Sequence, residues 1–350
     1  MKITLSNLKI SHIATGLPKD VIQLIEYERF FDSKTIRRTM RATGVESVHV
    51  ANPDMCASDY GVEIAKRLMT ETGLKSDEFD GVVFVSQTPD YIIPSTGGII
   101  QDRLGLPQSA VAFDINYGCS EYVYGLYQAS LLVSSGSCRR VLIFNGDTQV
   151  RLTHEQDKSN RLLLGDGFAV TVVERGEQSF YFNIGTDGNG YRLIIVEAGG
   201  FRKSKSKETA EPIFDDRGNP QWRECIYMNG MELMNFDLKK VPLLINETLG
   251  DIGWSKDDVG VFAMHQVNQT VIQLLANRLK VTPERMPIAL QKTGNTSSAS
   301  IPLMLATKRD ELRARNALNK VLVCGFGVGL SFGTVAVDLS STTIHDTWII

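Results

Sequence analysis

Residues 80–85 read DGVVFV, and this short apolar run decides the fold because a similar run, DVGVFA, recurs at residues 258–263. A second pair follows in the same order, RVLIF at residues 140–144 and KVLVC at residues 320–324. Continuous β-branched runs of this length are typical of strands that are covered on both faces of a sheet. The repeated order predicts an α/β protein built from two similar halves.

Helical patterns lie between the strands, for example over residues 60–72 and 122–134, and Gly136 is suited to end the second helix. We place the boundary between the halves near residue 175, which gives predicted domains 1–175 and 176–350. The remaining predictions are strands at 111–115, 169–173, 259–264, 286–290, 321–324 and 334–338, a helix from about 269, and a surface excursion without regular structure at 200–224.

The bulk composition excludes several classes of protein. The chain has 350 residues, 43% hydrophobic and 22% charged, with a net charge of −3, which gives no overall attraction to nucleic acid or an anionic membrane. No stretch approaches the roughly twenty apolar residues of a membrane span, and the N-terminus does not resemble a signal peptide. We therefore expect a cytoplasmic protein without a membrane span and without a nucleic-acid partner.

The cysteines indicate neither disulfides nor a metal site. There are five, an odd number, and they are well separated in a large chain, as Cys56, Cys119, Cys138, Cys225 and Cys324. The sequence has no Cys-x-x-Cys pair and no His-x-x-x-His pair, so no zinc site is predicted. No glycine-rich loop followed by Lys and Ser or Thr is present, and we expect no bound cofactor.

Cys119 stands just past the predicted strand at residues 111–115, where the next helix begins. A cysteine at a helix N-terminus faces unpaired backbone N–H groups, which favour the nucleophilic thiolate. The preceding Gly118 removes bulk where a substrate approaches. On local sequence alone, an inert buried cysteine explains the segment equally well.

His265 and Asn295 occupy comparable positions in the second half. His265 ends the strand at 259–264, and Asn295 lies in a loop of small polar residues that enters a helix. Taken alone, the histidine fits a buried ring satisfied by backbone, and the asparagine fits a turn or helix cap. The glycine run at residues 325–329 also follows a strand and can bring backbone N–H groups close to a substrate oxygen.

Taken together, these segments resemble the ketoacyl-ACP synthase III family of the thiolase superfamily over nearly the whole chain. The resemblance implies the thiolase fold, five αβαβα layers made by two similar halves with Cys119 buried at their junction, and a homodimer. It rests on five ordered signatures, which are Cys119 at a strand–helix junction, Gly165-Asp166-Gly167, His265-Gln266-x-Asn268, Gly294-Asn295-Thr296-Ser297, and Gly325-Phe326-Gly327-Val328-Gly329.

The resemblance also implies a reaction and its substrates. Cys119 takes the acyl group of an acyl-CoA or an acyl-ACP, and malonyl-ACP then loses carbon dioxide. His265 and Asn295 hydrogen-bond the extender's thioester oxygen, and the carbanion attacks the acyl-cysteine. Backbone N–H groups of Cys119 and Val328 form the oxyanion hole. Acyl carrier protein and a small-molecule acyl thioester are the implied partners.

Three positions depart from the family pattern. The residue two after the nucleophile is Glu121 rather than glycine, residues 36–45 lack the tryptophan that stacks a CoA adenine, and Thr270 replaces an arginine that contacts the carrier protein. Two interpretations of Glu121 stay open. Either its charge raises the pKa of the Cys119 thiol, or the side chain points away and pairs with a cation or caps backbone.

Three other functions compete with condensation. Acyl transfer from Cys119 to an alcohol or amine needs no decarboxylation and uses His265 as general base. A degradative thiolase is suggested by Cys324 before the glycine run, but such enzymes carry a histidine where this chain has Asn295. A non-catalytic partner subunit is the third alternative, although such subunits characteristically lose the nucleophilic cysteine.

Overall fold

The structure, a computed structural model, describes residues 1–215 and 218–350, so Asp216 of the predicted excursion lies outside the described residues. The strands are β1 (Lys2–Leu17), β2 (Asp20–Gln23), β3 (Ser47–Val50), β4 (Gly81–Val85), β5 (Val111–Ile115), β6 (Arg140–Asp147), β7 (Gly167–Arg175), β8 (Gln178–Thr186), β9 (Ile194–Val196), β10 (Ile213–Phe214), β11 (Pro220–Gln221), β12 (Ile226–Met228), β13 (Val261–Met264), β14 (Val321–Gly327), β15 (Ser331–Val337) and β16 (Thr343–Ile349). The helices are α1 (Ser33–Thr43), α2 (Ala57–Thr72), α3 (Thr96–Arg103), α4 (Glu121–Ser134), α5 (Lys158–Arg161), α6 (Lys207–Ala210), α7 (Gly230–Ile252), α8 (Gln269–Leu279), α9 (Ser300–Thr307) and α10 (Arg309–Ala314).

The strand pairing repeats between the two halves. The main hydrogen-bonded path is β13-β14-β15-β8-β1-β7-β6-β4-β5, and β16 pairs with β1. In the first half β4 and β6 are parallel, whereas β6–β7 and β7–β1 are antiparallel. The second half matches this with parallel β13–β14 and antiparallel β14–β15 and β15–β8. The long β1 pairs with both β7 and β8, so it joins the two units.

Alternate side chains of each strand enter different cores, which arranges the chain in five layers. Val83 of β4 and Val261 of β13 share one core with α4 and α9, which lie between the two units. Phe84 packs with α2 and α3 on one outer side, and Phe262 packs with α7 and α8 on the other. Successive strand side chains point to opposite faces, so buried runs of this kind need cover on both sides. The predicted αβαβα thiolase fold is confirmed.

The strand predicted at residues 286–290 is wrong. Pro283–Arg285 forms a short 3₁₀ turn, and the segment after it is irregular. Here a side chain takes the place of a neighbouring strand as hydrogen-bond partner of the backbone. The Gln266 amide donates to the carbonyl of Pro287 at 3.3 Å and accepts from the Ala289 N–H at 2.9 Å. Proline also lacks the N–H that a strand ladder needs.

The prediction that residues 111–115 form a strand is confirmed, but the strand is not buried on both faces. β5 ends the hydrogen-bonded path, and Val111 is 42% exposed. Three long strands, β1, β8 and β16, are absent from the sequence predictions. Within the described part of residues 200–224 the chain is largely exposed, with only the short α6, β10 and β11.

The backbone turns between the halves close to the predicted boundary, since β7 ends at Arg175 and β8 begins at Gln178. The division into domains 1–175 and 176–350 stays a prediction, because β1 is hydrogen-bonded to strands on both sides of it.

Candidate active site

Cys119 lies in the turn between β5 and α4, with Ser120 at the N-cap position of the helix. The turn is closed by the Glu121 N–H, which donates to the Gly118 carbonyl at 2.8 Å. A Cβ atom at Gly118 would lie 2.3 Å from the Cβ of Val328. Only a glycine at residue 118 therefore lets the nucleophile turn approach the loop that follows β14.

The glycine-rich end of β14 lies directly against the nucleophile. Gly327 has φ of +150°, and a Cβ there would stand 2.6 Å from the Cβ of Cys119. A side chain would be both strained and obstructed at this position. The next residue, Val328, donates its backbone N–H to the Cys119 sulfur. The predicted oxyanion-hole donor is thus already beside the reacting atom.

The electrostatic surroundings of Cys119 oppose its ionisation. Burial raises the pKa of the thiol to about 12, and the Glu121 carboxyl group is the second cause. Asp237 and Asp147 act in the same direction, whereas the Val328 N–H favours the thiolate. The free protein therefore holds Cys119 as a thiol, although the side chain keeps some exposure.

His265 follows β13 and is fully buried. Its backbone N–H donates to the Cys324 carbonyl at 2.8 Å, and its Nδ1 lies 2.7 Å from the Ser300 hydroxyl. The other ring nitrogen, Nε2, has no hydrogen-bond partner among the described residues. Burial lowers the pKa of the imidazole to about 3, so the ring is neutral at physiological pH.

The Asn295 side chain is oriented by its own loop. Its Oδ1 accepts the N–H of Ser297 at 2.9 Å, and its Nδ2 lies 3.4 Å from the Val267 carbonyl. Asn295 therefore does form a local turn, as the simpler interpretation proposed. The turn also directs the amide, because the long contact to Val267 leaves Nδ2 with donor capacity for a substrate oxygen.

Backbone contacts to the Gly165 segment hold Asn295 in place. The Asn295 N–H donates to the Leu163 carbonyl at 2.9 Å, and its carbonyl accepts the Gly165 N–H at 3.1 Å. The Gln149 amide donates to that same carbonyl at 2.5 Å. A Cβ at Gly165 would lie 2.1 Å from the Thr293 carbonyl oxygen. The Gly-Asp-Gly signature thus holds the asparagine loop through backbone hydrogen bonds and close packing at Gly165.

Shared neighbours bring the predicted residues together. The ring of Phe326 meets the His265 ring edge to face at 5.8 Å, and the adjacent Gly327 packs on Cys119. Ser297 contacts the Asn295 side chain, and its backbone also acts on His265. In contrast, the Cys324 side chain belongs to the core on the outer side of β14, and burial raises its pKa above the ordinary range.

Two buried acids were not predicted as parts of the site. Asp147 is buried at the end of β6, and Asp237 is buried on α7, where burial raises its pKa to about 8. Glu121 is fully buried, with neither carboxylate oxygen hydrogen-bonded, so the interpretation that it pairs with a cation is wrong. No sequence signal separated Asp147 or Asp237 from ordinary surface acids.

The described residues offer neither a metal site nor a membrane-spanning helix. Within 1–215 and 218–350, no cluster of three His, Cys, Asp or Glu side chains is arranged to hold a metal ion. None of the helices described there is both long and apolar enough to cross a bilayer.

The duplicated five-layered fold, with Cys119, His265 and Asn295 linked through shared neighbours, defines a thiolase-fold condensing enzyme. Residues 113–188 match the model of 3-oxoacyl-[acyl-carrier-protein] synthase III, and residues 249–339 match that of its C-terminal part. The chain belongs to the 3-oxoacyl-ACP synthase III family.

Individual relatives agree with this assignment over their whole length. The chain is 32% identical to beta-ketoacyl-[acyl-carrier-protein] synthase III of Caldanaerobacter subterraneus, with 94% of this chain and 97% of the relative covered. It resembles the crystal structure of a 3-oxoacyl-(acyl-carrier-protein) synthase from Burkholderia xenovorans with a TM-score of 0.93 at 32% identity, covering 100% and 99% of the two chains. A second solved synthase III gives a TM-score of 0.89 at 35% identity, covering 95% and 99%.

Proposed function

We propose that the protein joins an acyl group to a malonyl thioester by decarboxylative condensation on Cys119. The observation that carries the proposal is the buried Nε2 of His265, which has no protein partner beside a positioned Asn295 amide. An unpaired buried nitrogen is costly unless a ligand satisfies it. Two neutral donors at one place suit the developing enolate oxygen of a thioester.

In the first half-reaction, the Cys119 sulfur attacks the carbonyl carbon of an acyl thioester. The N–H groups of Val328 and Cys119 hydrogen-bond the oxyanion, and the contact between Val328 and the sulfur supports this role. The bond from carbonyl carbon to carrier sulfur then breaks. The released carrier thiolate takes up the proton that Cys119 lost, which leaves an acyl-cysteine.

In the second half-reaction, the malonyl group loses carbon dioxide. The electron pair of the broken C–C bond moves into the thioester as an enolate, whose oxygen is hydrogen-bonded by His265 Nε2 and Asn295 Nδ2. The Ser300 hydroxyl lies on His265 Nδ1, and when it donates there the ring proton is on Nε2. The enolate carbon attacks the acyl-cysteine, and Cys119 leaves as thiolate.

The proposed carrier of the malonyl extender is acyl carrier protein. Transfer of the acyl group to malonyl-ACP is the reaction of an acyltransferase of the synthase III type. Helix α1 carries four exposed cations without an acid in the helix, and the described residues give them no ion pair; they are Lys34, Arg37, Arg38 and Arg41. A basic face of this kind attracts an acidic protein. The chain leads from α1 to Val48, which packs on Gly165 and Gly294 beside the asparagine loop.

Acyl transfer to an alcohol or amine is the weaker candidate. That reaction needs a general base for the incoming nucleophile, and His265 is the imidazole that would serve. With a pKa of about 3 the buried ring is a poor proton acceptor. A neutral ring of low basicity suits a hydrogen-bond donor instead.

The nucleophile is tested with two cysteine variants. We expect Cys119→Ser to abolish covalent acylation by an acyl thioester, measured by intact-protein mass spectrometry, because serine lacks a strong base at this site. Cys324→Ser is the matched control and should acylate normally, since that thiol is fully buried in β14. Label on Cys324 but not Cys119 would contradict the assignment.

Carbon dioxide release separates the two candidate functions. Wild-type protein loaded with an acyl group should release carbon dioxide from malonyl-ACP and form a 3-oxoacyl product. Transfer of the acyl group to a hydroxyl or amine acceptor without carbon dioxide release would instead identify a non-decarboxylating acyltransferase.

A further inference from the structure

Glu121 is the first residue of α4, directly after Ser120 at the helix N-cap, and its side chain has no exposed surface. Neither carboxylate oxygen meets a donor with hydrogen-bond geometry among the described residues. The Ser298 hydroxyl and the backbone at Tyr117 face the carboxyl group without satisfying it. An ionised carboxylate buried in this way would be strongly destabilising.

Asp147, the acid that acts electrostatically on Glu121, is much better supplied with donors. Asp147 accepts the N–H of Gln87 at 2.7 Å and the hydroxyl of Ser86 at 3.0 Å, and Ser298 lies 3.3 Å from its other oxygen. Donors of this number stabilise a negative charge. When two buried acids lie together without a cation, one of them holds a proton. The donors make Asp147 the charged partner and Glu121 the protonated one.

Ser298 connects this acid pair with the loop that carries Asn295. It belongs to the 3₁₀ turn Ser297–Ala299, which lies between Asn295 and the Ser300 that contacts His265. The Ser298 hydroxyl has a single proton, which it donates to Asp147. Its lone pairs therefore remain to accept a hydrogen bond from the O–H of a protonated Glu121.

We propose that Glu121 is a positioning residue that works as an uncharged carboxylic acid, donating a hydrogen bond to Ser298 and so fixing the Asn295 loop against the start of α4. The inference rests on the condensation proposed above, because it assigns Glu121 to the half-reaction that uses Asn295 and His265. The uncharged acid also keeps one negative charge away from Cys119, which already faces the Asp147 carboxylate.

Burial supports this charge state. It raises the pKa of Glu121 well above the ordinary range, and Asp147 is the second cause. No lysine or arginine acts on Glu121, and none pairs with Asp147 among the described residues. The direction of this pKa shift agrees with the uncharged state that the donors of Asp147 assign to Glu121.

Infrared spectroscopy tests the charge state without any enzymatic turnover. At neutral pH, wild-type protein should show the carbonyl absorption of buried protonated carboxylic acids, to which Asp237 also contributes, and Glu121→Gln should lose the component that belongs to Glu121. The matched control is Glu63→Gln, the same chemical change at an exposed position of α2, which should leave the spectrum intact. A Glu121→Gln spectrum with the wild-type protonated-acid band unchanged would overturn the proposal.

Two neutral variants test the positioning role. Glu121→Gln keeps a donor, and we expect both half-reactions to stay within about threefold of wild type. Glu121→Leu has similar size but no donor, and it should decarboxylate malonyl thioester about a hundredfold more slowly while Cys119 still acylates. Ser298→Ala should give the same selective loss with Glu121 still present.

The outcomes separate this inference from the proposed function. Equal decarboxylation by the leucine and glutamine variants, with both folded by their melting temperatures, would overturn the positioning role. If wild-type protein decarboxylates no malonyl thioester, the condensation itself fails. The infrared comparison still decides whether Glu121 is an uncharged acid in that case.

Discussion

The nucleophile faces acids rather than cations in the free protein. Burial holds the Cys119 proton, and the acids Glu121, Asp237 and Asp147 oppose the thiolate further when they are ionised. His265 is neutral and supplies no counter-charge. The Val328 N–H favours the thiolate. The thiolate must therefore form as the acyl thioester binds and its oxyanion receives the N–H groups, rather than beforehand.

The different tasks of the site residues predict a split between the half-reactions. His265→Ala and Asn295→Ala should each lose malonyl decarboxylation by about a hundred- to a thousandfold, because each removes one donor to the enolate oxygen. Acylation of Cys119 should fall much less, since it depends on the thiol and backbone N–H groups. Rates of acyl-enzyme formation and carbon dioxide release are measured separately.

A histidine outside the site provides the control for this split. His345 lies on β16 beside Glu71, and His345→Ala should leave both half-reactions near wild type. Equal losses of acylation and decarboxylation in the His265 and Asn295 variants would refute the division of roles.

Strand ends of an α/β sheet gather at one site, which places Cys119 after β5 and His265 after β13, but residues 286–290 before Asn295 form no strand. The sequence identified all three residues through the ordered signatures that carry the family resemblance. It did not identify Asp237 or the charge state of Glu121. Both depend on which side chains surround a carboxyl group, and that is decided by packing between helices and strands distant in sequence. Periodicity reports one element at a time and carries no such information.

The same limit explains the errors in secondary structure. Residues 286–290 and 111–115 have similar apolar character. The backbone of the first segment is hydrogen-bonded by the Gln266 side chain, whereas the second segment forms an edge strand. The long β1 mixes exposed and buried residues because its two ends pair with different strands. Its alternation is therefore interrupted along the chain.

Helix α7 carries a buried acid whose ionisation should make stability depend on pH. Burial raises the pKa of Asp237 from 3.8 to about 8, so between these values the folded state binds a proton that the unfolded state has lost. Stability therefore falls as pH rises through this window, by about 1.4 kcal/mol per pH unit from this group. Asp237→Asn should remove that slope, and its gain in unfolding free energy should grow from pH 5 to pH 8.

An exposed acid on the same helix is the control for Asp237. Asp251 pairs with Lys2, which lowers the pKa of its carboxyl group, so Asp251→Asn should show no gain that grows with pH. Denaturant unfolding at several pH values measures both variants. A pH-independent difference between wild type and Asp237→Asn would show that Asp237 is not buried in its neutral form.

The two end strands of the main sheet differ in how far they are buried. The end strand β13 is completely buried. The irregular segment after Arg285 is hydrogen-bonded by the side chain of Gln266, the residue that follows His265. At the other end, β5 is exposed or half-buried along its length. An open edge strand presents unpaired N–H and C=O groups to another chain.

An apolar loop lies next to this open edge. Tyr91, Ile92 and Ile93 are 63%, 75% and 83% exposed. The loop runs into α3, whose first N–H groups are bound by Asp114 of β5, which holds it against the edge strand. Exposed apolar surface beside an unpaired strand is typical of a protein interface.

The family resemblance implies a homodimer, and the open edge and its apolar loop lead us to predict that the two copies associate through β5. Light scattering should give twice the mass of one chain, and Ile92→Asp combined with Val111→Lys should give a single-chain mass, because charges on an edge strand block pairing. Phe201→Asp is the control, because Phe201 is 92% exposed but lies in the surface excursion at residues 200–224 and not on β5 or the loop beside it. This variant should keep the wild-type mass. A wild-type protein of single-chain mass at concentrations well above the micromolar range would refute the β5 interface, because an interface of about 1,600 Å² normally persists there.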